Sequence, residues 1–499
     1  MSDTASPDTR PPGSPELVIE DTDLRRNAIG LTGALMQNIT HIAPAIAALF
    51  FTTAVVGFAG EAAPLAYLLG VIVVVMLGST LVQLSKHMPS AGGYYTYVSR
   101  ALHPRAGFLT SWMYVLYAPI AGGPGFGYLG FILQQELKTN YQINVPWLWW
   151  VCVLVFTVVV AFLQHRGIKI SAQAMLILGG LEMIIVFVLA VWGFARPGAG
   201  GFTFAVFDFN KKLTVEGFAL AVVFSIQGLT GWEGAAPLAE ETRNPRRNVP
   251  RATMLSIFIL GVFLVIAYAG QIIGWGVNKV SSLPGSPDLP GLVLAHRFWG
   301  GAWVILLLAL FNSVLAVGLA TANVGTRMWY RMAKGGSLPK PLAKVNAKYK
   351  TPTNAILVQV VISLITGLAV GAWIGADKSF FLVDGLVLVM AVLFVYVIAN
   401  VAVFWYYLQQ RRASFNIFLH IVFPLISTGA LIYALVYSFI PFPASPYKWA
   451  PLIDGIWLAA GVTILAVMWF RRNDAWLRTA GAALGEEKDT AAEGAAPSG

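Results

Sequence analysis

Two carboxylates and one histidine stand inside long apolar runs, and each could carry a proton through a membrane. Glu182 lies about midway along the run 171–194, Glu233 follows Gly231-Trp232 within 215–239, and His41 closes the polar string Gln37-Asn38-Ile39-Thr40-His41 in the first run. An ionised carboxylate at the bilayer centre costs about 2.5–3.5 kcal/mol even on the lenient insertion scale, so a glutamate at that depth faces a cavity or a partner. Such a group can take up and release a proton in each cycle of a transporter. The plainer alternatives are a neutral Glu182 hydrogen-bonded to nearby backbone, a Glu233 that braces its helix, and a neutral His41 that only hydrogen-bonds. Trp232, Tyr114 and Tyr117 either gate or line a pocket or simply pack. Asn312, Thr321 and Asn323 either border an ion site or join helices.

Beside these side chains the sequence offers open backbone. An apolar helix runs into Gln227-Gly228-Leu229-Thr230-Gly231, with Trp232 and Glu233 directly after. The first run is interrupted in the same way by Asn38, Thr40, His41, Ile42 and Ala43 before Pro44. In lipid an unpaired backbone amide costs several kcal/mol, so a broken helix persists only where it lines a protein cavity. The interrupted runs are five apart. An odd number of spans inverts the second unit, and matching breaks at the start of two such units point to a transporter built from inverted repeats. Ordinary kinks at Pro44 and at Gly228/Gly231 are the alternative. A third Gly-rich stretch, Ala121 to Gly127 with Pro124, marks a hinge or a tight contact in the third run.

The elements that must hold these groups are membrane helices. Of the 499 residues, 57% are hydrophobic and 11% charged, against about 25% charged in soluble domains. Twelve runs approach the roughly 20 residues needed to span a bilayer: 29–57, 62–84, 106–136, 147–163, 171–194, 215–239, 252–277, 300–325, 353–374, 380–408, 414–438 and 451–470. The net charge of +10 does not indicate nucleic acid. Most lysines and arginines fall in alternate loops, which places both termini in the cytoplasm by the positive-inside rule, and some can touch anionic lipid head groups. No cleavable signal peptide is visible. Cys152, the single cysteine, reads as a small core residue.

Several function classes lack their signature. No Gly-x-x-x-x-Gly-Lys-Ser/Thr loop supports ATP-driven transport. The six histidines show no i, i+4 spacing for a metal. No nucleophile–base pair supports an enzyme, and no ring-forming filter supports a channel. A nutrient sensor of the same fold would bind ligand without flux, but the chain has no large soluble signalling domain.

Longer motifs carry a family resemblance. Pro89-Ser90-Ala91-Gly92-Gly93-Tyr94-Tyr95 followed by Pro104-Arg105-Ala106-Gly107, the loop Glu240-Glu241-Thr242-Arg243-Asn244-Pro245-Arg246-Arg247-Asn248-Val249-Pro250-Arg251, and Arg327-Met328-Trp329-Tyr330-Arg331 with Leu338-Pro339 and Thr351-Pro352 resemble the amino acid–polyamine–organocation superfamily of transporters. The resemblance covers residues 29 to about 410. It implies an all-α integral membrane protein of twelve transmembrane helices, with a leucine-transporter-type 5+5 inverted repeat plus two extra helices. Glu182 then falls at a helix 5 position where some proton-coupled relatives carry a lysine, and Glu233 where relatives frequently carry an acid that senses protons and braces the inner gate. Thr40-His41-Ile42-Ala43-Pro44 departs from the Gly-Ala-Gly-Ile-type run whose amides meet a substrate carboxylate in relatives, because proline cannot donate. A modified substrate or a polyamine fits this departure.

The expected organisation is a disordered cytoplasmic segment 1–27, a first repeat 28–213, a second repeat 214–410, two further helices in 411–472 and a disordered cytoplasmic tail 473–499. The expected function is secondary active import of an amino acid or related amine, with protons as the coupling ion and exchange as the alternative mode. The expected substrate contacts are Asn38, Thr40, His41, Ile42, Ala43, Gln227, Gly228, Leu229, Thr230, Gly231 and Trp232, and the proton-coupling groups are Glu182 and Glu233. The partners are a small-molecule substrate, protons and the lipid bilayer of the plasma membrane. No cofactor, metal or nucleic acid is expected, and no oligomeric state is implied.

Overall fold

The structure is a computed structural model that describes residues 18–19, 23–120, 122–209, 213–286, 288–440, 442–471 and 475–484. Among the described residues, strand pairing is limited to a two-residue parallel pair and one isolated bridge, and the rest is helices joined by turns and loops. The helices are α1 (Leu31–Ile42), α2 (Pro44–Leu49), α3 (Phe51–Ala59), α4 (Ala63–Ser85), α5 (Tyr94–Ala101), α6 (Pro104–Ile120), α7 (Gly123–Tyr141), α8 (Leu148–His165), α9 (Ile168–Ala195) and α10 (Val215–Gln227). They continue as α11 (Pro245–Trp275), α12 (Pro290–Trp299), α13 (Val304–Lys334), α14 (Thr353–Ile365), α15 (Gly371–Ile374), α16 (Ala376–Leu382), α17 (Leu388–Gln410), α18 (Phe423–Phe439) and α19 (Trp449–Phe470). Nine helical stretches among the described residues are long and apolar enough to cross a membrane. The first, third and sixth apolar runs are each broken.

Local chemistry accounts for the breaks. Pro44 has no N–H, and its ring disfavours the α conformation in the residue before it. Ala43 accordingly turns left-handed, at φ 58° and ψ 76°, and its amide closes the last turn of α1 on the Thr40 carbonyl at 3.2 Å. In the sixth run α10 stops at Gln227, residues 228–235 form turns, and a 3-10 helix over Ala236–Glu241 follows. In the third run α6 and α7 part around Gly122 (φ 119°). A Cβ on Gly123 would collide with the Ser363 carbonyl, so this Gly-rich stretch brings α7 close against α14.

Helix α13 runs through the centre of the protein, against α1, α6, α8, α9 and α14. The bundle of α1, α4, α10 and α11 packs to one side of it. Helix α18 lies against α17 and α4, where Asn400 bonds Thr80, Ser427 and Thr428. Helix α19 is fixed to α6 by a reciprocal pair: Trp112 Nε1 donates to the Trp457 carbonyl and Trp457 Nε1 to the Trp112 carbonyl, both at 2.7 Å, with the rings stacked 4.4 Å apart.

Part of the expected disorder is corrected. Residues 475–484 are packed under the helices: the Leu484 amide donates to the Pro89 carbonyl (2.8 Å), Arg246 to the Leu484 carbonyl (2.8 Å) and Arg331 to the Ala482 carbonyl (3.4 Å). Trp476 is buried. Val18–Ile19 pairs with Ala483–Leu484, so the chain ends that the structure describes meet on one face. Nearby, Leu24 is buried and Asp23 bonds Tyr330 and Lys334. The hydrogen bond from Lys334 holds the Asp23 carboxyl below the usual carboxylate range. The composition of the tail, rich in alanine and glycine, suggested no core of its own. What orders these residues is backbone pairing with loops of the membrane domain, which composition does not report. Residues 1–17 and 485–499 lie outside the described residues.

Candidate functional site

The two principal breaks touch. A Cβ on Gly231, whose φ is 119°, would lie 2.6 Å from the His41 carbonyl carbon and oxygen and 2.8 Å from the Ile42 amide nitrogen. Asn38 fastens this joint. Its Oδ1 accepts the Ala235 amide at 2.6 Å and its Nδ2 donates to Ser256 Oγ of α11 at 3.3 Å. Gln37 donates to the Ala320 carbonyl of α13 at 2.9 Å. Thr40 spends its hydroxyl on the Met36 carbonyl of its own helix at 2.7 Å. Of the residues expected to meet substrate, Asn38, Thr40, His41, Ile42, Ala43, Gly228, Leu229, Gly231 and Trp232 are buried around the joint, while Gln227 and Thr230 are partly exposed.

Glu182 meets the start of the second half of the first span. It lies in the middle of the 28-residue α9, fully buried, and its Oε2 accepts the Ala45 amide at 3.2 Å. The Ile46 amide donates to Ser313 Oγ of α13 at 3.4 Å and the Ala47 amide to the Ala43 carbonyl at 2.8 Å. Pro44 has no amide to offer. Every backbone donor from 45 to 47 is therefore used within the protein, and none is left for a carboxylate.

Glu233 lies in a second, aromatic part of the site. Its Oε1 accepts from Tyr114 of α6 at 3.0 Å and its Oε2 from Tyr396 of α17 at 2.7 Å. Tyr396 packs on Trp232 with ring centroids 5.1 Å apart. Tyr117, one turn beyond Tyr114, meets Nε2 of His41 at 3.1 Å. Charge-assisted bonds of this kind are about twice as strong as neutral ones, so two tyrosines from two helices fix the carboxyl beside the break. The two expected proton-coupling groups are thus separate: Glu182 touches the first-span break, Glu233 the sixth. Asn312 donates to the Leu178 carbonyl and so joins α13 to α9, whereas Thr321 bonds only carbonyls of its own helix. Among the described residues no cluster of three metal-ligating side chains is present.

Sequence reasoning missed Tyr396, Ser313 and Ser256, which carry no local signal within apolar helices. It also missed two acids that did carry one. Asp384 lies in a π-helical turn over Val383–Val387, and its Oδ2 has no hydrogen-bond partner among the described residues. π-helical turns recur at functional sites. Asp454 of α19 is buried with neither carboxyl oxygen bonded among the described residues. Both stand in apolar runs, the criterion that selected Glu182.

The positive charges lie elsewhere. The buried arginines among the described residues are Arg327 and Arg331, both in the last turns of α13 on the face that carries the chain ends. Arg327 Nε meets Glu241 Oε2 at 2.8 Å with both side chains buried, and Arg327 also bonds Asn323 Oδ1 at 3.1 Å. The Glu241 carbonyl accepts the Ala28 and Ile29 amides, so this pair closes the first, sixth and eighth runs against one another. Arg327→Ala leaves Glu241 buried and unpaired, and is expected to cost about 3–5 kcal/mol. Arg327→Met combined with Glu241→Leu should recover most of that loss. Thermal unfolding of the purified variants checks both.

A helical membrane protein whose broken helices meet around buried acids is built as a carrier of small molecules. The chain belongs to the amino acid permease family, which matches residues 33–480. It is similar to the low-affinity putrescine importer PlaP of Escherichia coli K12, 25% identical over 352 residues that cover 68% of this chain and 74% of that protein. It is also similar to the serine/threonine exchanger SteT of Bacillus subtilis, 26% identical over 328 residues (62% and 70%), and to the amino acid permease YecA of the same organism, 27% identical over 305 residues (59% and 66%). The family consists of transporters rather than enzymes, and the chain is a multi-pass membrane protein.

Proposed function

We propose that this permease imports an amine, or an amino acid recognised through its ammonium group, by proton symport across the plasma membrane. Twelve spans, ten of them in two inverted repeats of five, would alternate access around the breaks at 43 and 228–235, with both termini cytoplasmic. The observation that carries the reading is the Glu182–Ala45 bond, a titratable side chain holding directly the element that must move. Ionised, Glu182 anchors the second half of the first span to α9. Protonated, it loses the charge that strengthens that bond, and the half-helix is released.

The preference for an ammonium follows from the donors and charges. The amides at the first break are occupied, and Glu182 and Glu233 are not paired with a buried lysine or arginine among the described residues. The C-terminal end of a half-helix, with its free carbonyls, favours a cation. The remaining contacts are assigned to backbone near Thr40–Ala43 and Gln227–Gly231, with Trp232 over the substrate. Similarity to a putrescine importer supports the amine class.

Reconstitution into liposomes tests the reading. Labelled diamines and amino acids, supplied singly, should accumulate when the inside is alkaline and not when the gradient is collapsed. Flux that requires internal counter-substrate and ignores the gradient would replace symport by exchange, the mode named for the serine/threonine relative.

Glu233 is assigned to the inner gate. Glu233→Gln keeps an oxygen for one tyrosine and removes the charge. It should shift the ratio of inward-open to outward-open states at neutral pH towards that of the parent at low pH. Spin labels at the ends of the first and sixth spans on the face bearing the chain ends read this ratio. Label distances that answer to pH in the mutant as in the parent would make Glu233 a brace only.

A further inference from the structure

A cleft of about 460 Å³ opens on the face that carries the chain ends, far from the breaks. Arg25, Arg166, Lys169 and Lys348 line it together with Gln173 and Tyr349. None of the four cations has an ion-pair partner among the described residues. Two of them are supported by aromatic rings instead: the Arg166 guanidinium lies 4.8 Å from the Phe162 ring centroid and 5.8 Å from that of Tyr349, and the Lys348 ammonium 5.4 Å from Tyr349. Ring contacts hold a cation in place without neutralising it. Four like charges brought together repel one another until an anion joins them.

The backbone adds to the same field. Gly167, at φ 103°, turns the chain from α8 into the 28-residue α9. The Ile170 and Ser171 amides bond back to the Gly167 carbonyl at 3.2 and 3.1 Å, and the helix opens on the cleft with Ile168 and Lys169. The first amides of a helix have no intrahelical acceptor, and the helix dipole puts partial positive charge there. Thr351 Oγ1 donates to the His165 carbonyl at 3.3 Å, which ties the α8–α9 turn to the segment before α14. The recess is thus bounded by three segments distant in sequence.

We infer that this cleft binds the phosphate of an anionic membrane lipid. Two guanidinium groups, two ammonium groups and a helix start match a phosphate's charge and its several acceptor oxygens. The surroundings favour a lipid over a free anion. Phe162 and Ile170 stand at the rim and are 54% and 40% exposed, and the lipid-facing sides of α8 and α9 continue from them through Val158 and Ile177. A head group seated between Arg166 and Lys169 can lay its chains along these surfaces. Basic recesses at the ends of membrane helices are sites where anionic head groups lodge. An occupant would bridge the segment that leads into the first span and the helix that bears Glu182.

The test uses the purified full chain and does not depend on transport. Delipidated protein is titrated with phosphatidylglycerol or phosphatidylcholine, and bound lipid is counted by native mass spectrometry. The Arg166→Gln/Lys169→Gln/Lys348→Gln variant is compared with a control of equal charge change on the same face, Lys340→Gln/Lys344→Gln/Arg411→Gln. Phosphatidylglycerol affinity should fall at least about tenfold in the cleft variant, because three of the cations that would meet the head group are removed, and stay within about twofold of the parent in the control. Equal retention by the cleft variant, an equal loss in the control, or no preference over phosphatidylcholine would overturn the site. In a parallel arm, inorganic phosphate alone should not raise the melting temperature of the parent. Protection by phosphate equal to that by phosphatidylglycerol would overturn the lipid as the source of the anion.

Discussion

Glu182→Gln is expected to abolish uptake driven by an inward proton gradient while leaving substrate binding in place. Glutamine keeps an oxygen within reach of the Ala45 amide, which the carboxylate accepts at 3.2 Å, and it fills nearly the same volume in a fully buried position. The fold should therefore tolerate it. The lost function is titration. The Ala45 amide would be held by a neutral group at every pH, and the second half of the first span would have no proton-controlled anchor. Glu182→Ala is the contrasting variant: it strands a buried amide, which costs about 1–3 kcal/mol, and should lower stability as well as uptake. Binding of a labelled substrate, gradient-driven uptake and thermal stability separate the outcomes. Normal gradient-driven uptake by Glu182→Gln would falsify the assignment of the coupling proton.

Gly231→Leu is expected to have the largest effect at the joint. The position combines a backbone φ of 119° with a Cβ direction that runs into the His41 carbonyl at 2.6 Å. A left-handed backbone costs an ordinary residue roughly 1–2 kcal/mol. The obstruction adds to that cost because its atoms are main chain and cannot rotate aside. Gly228 differs. A Cβ there meets the Tyr67 hydroxyl at 2.8 Å and the Phe51 ring at 3.4 Å, both side-chain atoms, and its φ of −64° suits any residue. Gly228→Ala should therefore bind substrate nearly as the parent does, Gly231→Ala should bind it poorly, and Gly231→Leu should not bind it at all. A scintillation-proximity assay on size-exclusion-purified protein reads the order, and equal binding by Gly231→Leu and the parent would show that the two breaks can separate without loss.

The sequence displayed the breaks because proline and glycine act locally. Pro44 disfavours the α conformation in the residue before it, and the Gly-rich stretch at 227–231 weakens the helix that precedes it. Glu182 and Glu233 were legible because a carboxyl in an apolar run needs a partner, and the same reasoning applied evenly would have added Asp384 and Asp454. The partners themselves were not legible. That Glu233 meets Tyr114 and Tyr396, or that Asn38 bonds Ser256, depends on the rotation and register of helices that are far apart in sequence, and no periodic pattern encodes this. Nor did the sequence show that the side chains of Asn38 and Thr40, expected at the substrate, make hydrogen bonds within the protein. The ordering of residues 475–484 was hidden for a related reason, since their acceptors and donors belong to loops that composition cannot bring together.

The Asn38 side chain has a consequence for how the protein changes shape. One carboxamide binds the first span, the unwound backbone of the sixth and the seventh span, so these three segments are pinned as a single rigid body. The bonds that leave this body run to other spans: Gln37 to Ala320, Ile46 to Ser313, Ala45 to Glu182, Glu241 to Arg327, His41 to Tyr117, and Glu233 to Tyr114 and Tyr396. In the proposed alternating access, a rocking motion would keep the first set and break the second. The barrier for that reorientation would then lie in identifiable contacts across one sliding surface, and loosening Asn38 should blur the motion. That is the behaviour of a shear mechanism, in which the stiffness of the moving part and the friction of its bearing are set by different residues.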